Sequence, residues 1–273
     1  MYPNTLSGGV LILWDILTAL SLIFLVWDLF KNTPTMWVMK LAWILIVLYT
    51  GPVGLFIYVL SCRQPIPGTH DEFISRHWKQ SVGSMMHCVA GDATGIIIAA
   101  SITFPFRLPN GLDVLIEYSA AFIMGLFIFQ ALFMKSMMGG NYLVAVRKTF
   151  FAETVSMNMV MFGMIPVMVI LRTKILGGDD PKTPLFWGIM SLATIAASFT
   201  AYPINSWMVG RGLKHGMMTA VPPSQAAATT SMPTHDEGGH ISMSKAAGVF
   251  VITLAFLAIS VWFTNLFVEL RLW

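Results

Sequence analysis

The sequence has little charge and little cysteine, and both shortages limit what it can fold into. Only 11% of its 273 residues are Asp, Glu, Lys or Arg, which is about half the fraction in a soluble domain. Its two cysteines, Cys62 and Cys88, are too few for a disulfide framework. There is no block of basic residues and the net charge is only +3, so we expect no nucleic-acid partner.

Hydrophobic residues make up 56% of the chain, and the mean hydropathy is +0.73. The apolar runs are long and do not alternate, which favours helices over barrel strands. A membrane span needs about 20 mostly apolar residues. The segments that meet this length are 8–30, 36–61, 82–104, 113–138, 151–171, 185–210 and 246–268. We therefore predict an all-α polytopic transmembrane helical bundle of about seven spans in a lipid bilayer.

These segments divide the chain into five regions. They are two N-terminal transmembrane helices (1–61), a polar connection with an interfacial helix (62–81), a four-helix membrane core (82–210), a flexible loop containing His and Met (211–245), and a C-terminal transmembrane helix (246–273). Seven spans place the N-terminus on the same side as the connections at 62–81, 139–150 and 211–245. That side has nine Lys and Arg against seven on the other, which favours a cytoplasmic N-terminus.

The third segment contains His87, Cys88 and Asp92 within about two helical turns. Ionisable side chains are costly in a membrane and usually face the interior of a bundle. Cys88 and Asp92 are four residues apart, so their side chains are adjacent on a helix. Gly91-x-x-x-Gly95 allows another helix to approach closely. This face is either a metal or proton site, or a packing face whose polar groups bond across helices.

The fifth segment carries one stripe of Glu153, Met157, Met161, Met164 and Met168 at helical spacing. Thioether ligands of this kind suit Cu(I). The alternative is a methionine-rich packing face, since Met is also a flexible core filler.

Further candidate residues lie in the same half of the bilayer or on the loop above it. Asp15 in the first segment, with Asp92 and Glu153, is a candidate proton relay. The residues of the loop that are candidates for metal capture are His215, Met217, Met218, His235 and His240. The alternative for the loop is an ordinary solvated connection.

A series of motifs resembles an uncharacterised prokaryotic integral-membrane family, a domain of unknown function, over about residues 80–218. The motifs are His87-Cys88-x-x-Gly91-Asp92, Ala152-Glu153-Thr154-Val155-Ser156-Met157, Asp180-Pro181-x-x-Pro184-Leu185-Phe186-Trp187-Gly188 and Gly212-x-x-His215-Gly216-Met217-Met218. In similar proteins Cys can replace Asp92 and Asp can replace Glu153. The resemblance implies a prokaryotic cytoplasmic membrane and an association with copper handling, but no activity.

Three functions remain open from the sequence. The first is binding or transport of a transition metal ion, with Cu(I) favoured, in which Asp92 and Glu153 support the metal-binding side chains. The proposed metal residues are His87, Cys88, Asp92, Glu153, Met157 and Met161. The second is proton-coupled transport of a small solute, and the third is a non-catalytic subunit or assembly factor of a membrane metalloenzyme complex. Partners would be lipid, the metal ion and either further copies of the chain or a larger complex.

We do not expect an enzyme. Neighbouring side chains on a helix diverge by about 100°, so His87 is badly placed to act as a base for the Cys88 thiol.

Overall fold

The computed structural model describes residues 5–131, 141–219 and 241–273, and within α1 it describes side chains from Gly8 onward. Its regular elements are helices, with one isolated bridge between Thr35 and Thr219. The helices are α1 (Thr5–Lys31), α2 (Trp37–Thr50), α3 (Pro52–Ser61), α4 (His70–Ile74), α5 (His77–Thr103), α6 (Asn110–Ile123), α7 (Tyr142–Lys174), α8 (Pro184–Gly210) and α9 (Met243–Asn265). A 3₁₀ turn, Phe104–Phe106, follows α5, and α6 continues as a π-helix, Met124–Gln130. The predicted all-α polytopic membrane bundle is confirmed.

In the described part of the chain, six helices are long and apolar enough to cross a membrane. They are α1, α5, α6 with its π-helical extension, α7, α8 and α9. The predicted second span, 36–61, is divided at Gly51 into helices of 14 and 10 residues. Gly51 has a φ of +56°, a conformation that suits glycine, and Pro52 starts α3 where its missing N–H has no helical partner to lose.

α2 and α3 form a hairpin that begins and ends on the same side of the bundle. Thr35, just before α2, forms the isolated bridge with Thr219. Arg63, just after α3, forms a salt bridge of 2.8 Å with Asp28 near the end of α1. Because both ends of the hairpin lie with the end of α1 and with Thr219, the pair enters the bundle and returns without crossing it.

The tip of this re-entrant hairpin reaches the middle of the bundle. The Tyr49 hydroxyl lies 2.8 Å from the Thr94 hydroxyl, which is far along α5. A Cβ added at Gly51 would come within 2.5 Å of the Thr18 hydroxyl and 3.3 Å of the Trp14 ring, both in α1. The turn therefore has to be small because α1 passes directly beside it.

The start of α1 lies on the side of the bundle away from the hairpin ends. The Trp14 indole N–H donates to the Ser191 hydroxyl at 3.3 Å, close to the start of α8. A Cβ at Gly188 would meet Leu11 at 2.7 Å. We call the side with the connections 62–69 and 211–219 the loop side, and the side with 107–109 and 175–183 the opposite side.

This placement corrects the predicted topology. The N-terminal end of α1 lies on the opposite side and does not share a side with the connection 62–69 or with residues 211–219. The prediction was wrong because the hairpin removes one crossing. The end of α9 also belongs to the opposite side, where the Leu112 N–H donates to the Arg271 carbonyl at 3.2 Å.

α5 is the central helix, and most of its length is buried. The close approach predicted at Gly91 and Gly95 is confirmed, because a Cβ at Gly95 would lie 2.5 Å from the Ala120 carbonyl of α6. α7 and α8 are equally close at Gly163, where the Thr200 hydroxyl donates to the Met159 carbonyl at 2.7 Å. By contrast, α1 and α9 are mostly exposed. The buried centre of the molecule is therefore formed by α5, α6, α7 and α8.

Candidate cation site

The thiol of Cys88 and two carboxyl groups meet in the buried centre, in the half nearer the loop side. Cys88 on α5 lies with its Sγ 3.7 Å from Oε2 of Glu153 on α7, and both residues are fully buried. Asp92, one turn after Cys88, is also fully buried. Cys88 and Asp92 are adjacent on α5, as helical spacing predicts, and Glu153 of α7 joins them from the neighbouring helix.

Gly125, in the π-helical part of α6, leaves room for the two carboxyl groups. A Cβ at this position would overlap both Glu153 Oε1 and Asp92 Oδ1. The two acids consequently share one small space beside the α6 backbone. Short π-helical stretches of this kind are frequent at functional sites.

Lys214 brings a positive charge into the same place. Its Nζ lies 2.7 Å from Cys88 Sγ, 3.0 Å from Asn205 Oδ1 and 3.9 Å from Glu153 Oε2. The Lys214 side chain is only 4% exposed. A buried ammonium is costly unless it is paired and hydrogen-bonded, and here the thiol, amide and carboxylate provide those partners.

Polar side chains from α6, α7 and α8 support this cluster. The Gln130 amide donates to Cys88 Sγ at 2.9 Å. The Asn205 amide donates to the Ser156 hydroxyl at 2.9 Å, which fixes the orientation of its carbonyl toward Lys214. We define the cation cluster as Cys88, Asp92, Glu153, Asn205 and Lys214.

The two carboxyl groups of the cation cluster face each other. Both carboxyl oxygens of Asp92 and Oε1 of Glu153 are buried and accept no hydrogen bond from an N–H or hydroxyl group of the described residues, and the two carboxyl groups lie within hydrogen-bonding reach of one another. One ammonium faces two carboxyl groups in a low-dielectric surrounding, where excess negative charge is unfavourable. The arrangement therefore offers oxygen and sulfur atoms to a positively charged guest.

The other predicted metal residues lie around this cluster in different ways. His87 is 4% exposed and packs edge-on against Phe129, with ring centroids 5.6 Å apart. Met157 and Met161 are fully buried in the hydrophobic core. Across residues 5–131, 141–219 and 241–273, no three His, Cys, Asp or Glu side chains are arranged to hold a metal ion by themselves.

Asp15, the third residue of the predicted proton relay, is not brought to the cation cluster. It lies on the exposed face of α1. Only Asp92 and Glu153 of that relay come together in this structure.

The predicted capture residues of the loop are partly structural. Met217 is 2% exposed and packs against Gly83 of α5. The Met218 carbonyl accepts from the Thr35 hydroxyl at 3.2 Å. These contacts hold the chain after α8 against the bundle and so position Lys214. His215 is exposed, while His235 and His240 lie outside the described residues.

Sequence reasoning missed Lys214 and Gln130 as members of the site, and it placed Asn205 at the same depth as Glu153 without giving it a role there. From the sequence alone, Lys214 is only one of the positive charges on the connection after the sixth span. One signal was available in the sequence. Lys214 lies within the motif that begins at Gly212, and the neighbouring apolar spans contain two acids, Asp92 and Glu153, that have no basic partner in their own span. The Lys214 side chain turns back into the membrane because Met217 packs against the bundle. Helical periodicity in the sequence does not reveal that packing.

No curated protein and no solved structure matches the chain. A family model described as a domain of unknown function, DUF4396, matches residues 77–214. The matched region runs from the start of α5 to Lys214, so it contains every member of the cation cluster and the four helices that position it. The chain belongs to the DUF4396 family.

Proposed function

We propose that the protein binds a cation inside the membrane and carries it across. The observation that supports this is the position of Lys214 Nζ, a cation held by Cys88 Sγ, Asn205 Oδ1 and Glu153 Oε2. A site that holds an ammonium in this way has the donor atoms to hold another cation in its place. Lys214 is then a tethered substitute that keeps the charge of the site balanced until the guest arrives.

Lys214 is suited to such an exchange because it lies in the non-helical connection after α8. Its side chain can withdraw without breaking a transmembrane helix. When it leaves, Glu153 Oε2 and Cys88 Sγ lose their positive partner, and an incoming cation restores it. The carboxyl oxygens of Asp92, which accept no hydrogen bond from an N–H or hydroxyl group of the described residues, add to the attraction.

We propose a transition metal ion as the cargo, with Cu(I) favoured. A site for a hard cation such as Mg²⁺ or Ca²⁺ is built from oxygen atoms alone. This one contains the Cys88 thiol, with the Met157 and Met161 thioethers on the same face of α7 as Glu153, and soft sulfur ligands select Cu(I). His87 borders the cluster and is a further ligand type for such an ion.

Copper titration of the purified protein against a competing chelator tests this function. We expect wild type to bind Cu(I), and Cys88→Ser, Glu153→Gln and the double variant His87→Ala/Cys88→Ala to bind at least about tenfold more weakly. Cys62→Ser is the matched control, because Cys62 is equally buried but lies at the base of the hairpin. The proposal fails if wild type binds none of Cu, Zn, Ni, Co or Mn above the level of the double variant.

A second candidate is proton-coupled transport of a small solute, and the adjacent buried Asp92 and Glu153 favour it. Metal-free protein in liposomes would then take up solute in response to a pH gradient. Asp92→Asn would abolish this uptake. The two candidates are separated by whether the purified protein binds metal at all.

We propose that the protein lies in the cytoplasmic membrane of a prokaryotic cell. We also propose that α1 packs against another protein chain, either a further copy or a subunit of a larger complex. The support is Asp15, a carboxyl on the exposed face of α1 within an apolar span, since such a group rarely faces lipid.

A further inference from the structure

A cavity of about 390 Å³ opens on the opposite side of the bundle, away from the cation cluster. It lies between the end of α5, the start of α6 and the end of α7, and residues of the connections 107–109 and 175–183 form its rim. Cavities that bind small ligands begin at about 300 Å³. The lining contains charges of both signs, carried by Arg107, Asp113, Glu117, Arg172 and Asp179.

Arg172 lies at the inner end of the cavity and pairs with two carboxyl groups. It donates from Nη1 to Glu117 Oε1 at 2.5 Å and from Nη2 to Asp113 Oδ2 at 3.3 Å. The Glu117 side chain is fully buried, and that of Arg172 is 9% exposed. Asp113 is also held by the Thr103 hydroxyl, which donates to Oδ1 at 2.5 Å. These bonds fix the charged groups against the inner wall.

Glu117 and Arg172 each keep one buried polar atom that the protein does not satisfy. Glu117 Oε2 accepts no hydrogen bond from an N–H or hydroxyl group of the described residues, although the Asp113 carboxyl is within its reach. The Arg172 Nε–H finds no acceptor among those residues. Because Nη1 and Oε1 join the two side chains directly, this acceptor and this donor lie only a few ångströms apart. Unsatisfied buried polar atoms are unfavourable, so the cavity is suited to a guest with both a donor and an acceptor.

The charges of the lining determine which signs the guest carries. Two carboxyl groups face one guanidinium at the inner wall, so a positive group beside Glu117 Oε2 offsets the excess negative charge. A negative group is favoured beside the Arg172 Nε and toward Arg107. A guanidinium has five N–H donors, and Arg107 donates to Asp179 from Nη1 at 2.7 Å, so it can bind an anion as well. A zwitterion, in which a short linker joins an ammonium to an anionic oxygen, meets both requirements.

The position of the cavity favours a lipid headgroup over a soluble zwitterion. It opens at the ends of three membrane-length helices, which is the depth at which headgroups lie. Two apolar residues of the lining, Ile175 and Leu176, are 39% and 88% exposed. Exposed apolar side chains are favourable beside acyl chains and unfavourable in water. The rim is therefore suited to the chains of a lipid whose headgroup occupies the cavity.

We propose that the cavity binds the headgroup of phosphatidylethanolamine, with the ammonium at Glu117 Oε2 and the phosphate at Arg172 Nε and Arg107. Two carbons separate the ammonium from the phosphate ester oxygen in this headgroup, so both groups reach the paired side chains at once. The contact with Glu117 requires an N–H donor. Phosphatidylcholine has the same phosphate but carries methyl groups in place of the N–H bonds, so it makes the phosphate contact alone. This site goes beyond the proposed function and does not depend on it.

Native mass spectrometry of the purified protein tests the proposal. The protein is incubated in detergent with equal amounts of dioleoyl phosphatidylethanolamine and dioleoyl phosphatidylcholine, and the bound lipids are compared. We expect wild type to prefer phosphatidylethanolamine by about tenfold, because a hydrogen bond to a charged group is worth at least about that factor. Glu117→Gln should reduce the preference to about twofold or less. Glu269→Gln is the matched control and should keep it, since Glu269 is 65% exposed on the same side and lies outside the lining.

Arg107→Gln tests the phosphate contact at a side chain that is 69% exposed. We expect it to bind both lipids about threefold more weakly with the same preference, because the phosphate is common to both. This variant and the wild-type ratio decide the question if Glu117→Gln does not fold. Equal binding of the two lipids by wild type would overturn the proposal, and so would unchanged binding by Arg107→Gln. Displacement of the lipid by an equal concentration of free phosphoethanolamine would identify a soluble ligand and overturn the lipid assignment.

Discussion

Lys214 gives the cation cluster its positive charge. That charge competes with a guest cation and also stabilises the buried carboxyl groups, and removing it separates these two effects. Lys214→Gln keeps a hydrogen-bonding side chain beside Asn205 and Cys88 but removes the resident cation. We expect Cu(I) affinity to rise by about tenfold, because the guest no longer displaces an ammonium from Glu153. The midpoint of thermal unfolding should fall in the metal-free state, since an uncompensated buried carboxylate costs about 3–5 kcal/mol.

Lys182→Gln is the control for this experiment, because Lys182 is exposed on the opposite side. Equilibrium copper titration gives the Cu(I) affinity, and calorimetry of the same preparations gives the midpoint of thermal unfolding. An affinity equal to or below that of wild type would contradict the tethered-cation role.

At the residue scale, the sequence revealed the acids and the thiol of the site but not the base. Cys88, Asp92 and Glu153 were recognisable because ionisable groups stand out within apolar helices. Lys214 lies beyond the end of α8, where a lysine normally points to water. Whether it turns inward is decided by long-range contacts, such as Met217 against Gly83.

At the element scale, the re-entrant hairpin depends on Gly51. Gly51→Ala requires an alanine with φ near +56° and places its Cβ against Thr18. We expect a loss of about 1–3 kcal/mol in the free energy of unfolding, measured by denaturant titration in detergent. The change should also release Tyr49 from Thr94.

Gly68→Ala provides a matched comparison for Gly51. Gly68 also has a positive φ, +86°, but a Cβ there meets nothing within 4 Å. It therefore reports the backbone cost alone, and Gly51→Ala should lose more stability. Equal losses would show that the contact with α1 does not hold the hairpin tip in place.

Hydropathy alone did not distinguish the hairpin from a span. Residues 36–61 are long and apolar enough to cross the membrane, and α2 and α3 keep that composition after the turn. The local signal was Gly51-Pro52, a pair typical of turns. The decisive information is the pairing of Arg63 with Asp28, which returns the chain to its starting side.

At the scale of the whole molecule, six crossings change the expected orientation. With Lys31 and Lys40 now on the loop side, ten of the fifteen Lys and Arg residues that the structure describes belong to that side. The members are Lys31, Lys40, Arg63, Arg76, Lys79, Arg147, Lys148, Arg211, Lys214 and Lys245. This excess predicts that the loop side faces the cytoplasm and that the start of α1 does not.

Reporter tags check this orientation. We expect tags at either end of the chain to be accessible from outside the cell, and a tag inserted at Gly68 to be accessible only from the cytoplasm. A seven-span protein would instead place its two ends in different compartments. Ends found on different sides would therefore contradict the re-entrant hairpin.

The hairpin has a further consequence for how this protein is assembled from parts. Because it returns to the side it left, its loss or replacement would not invert any later helix. The DUF4396 region from α5 to Lys214 has the same property, since its four crossings start and finish on the loop side. Each part therefore leaves the direction of the remaining helices unchanged, and the cation cluster would face the same compartment with or without the hairpin.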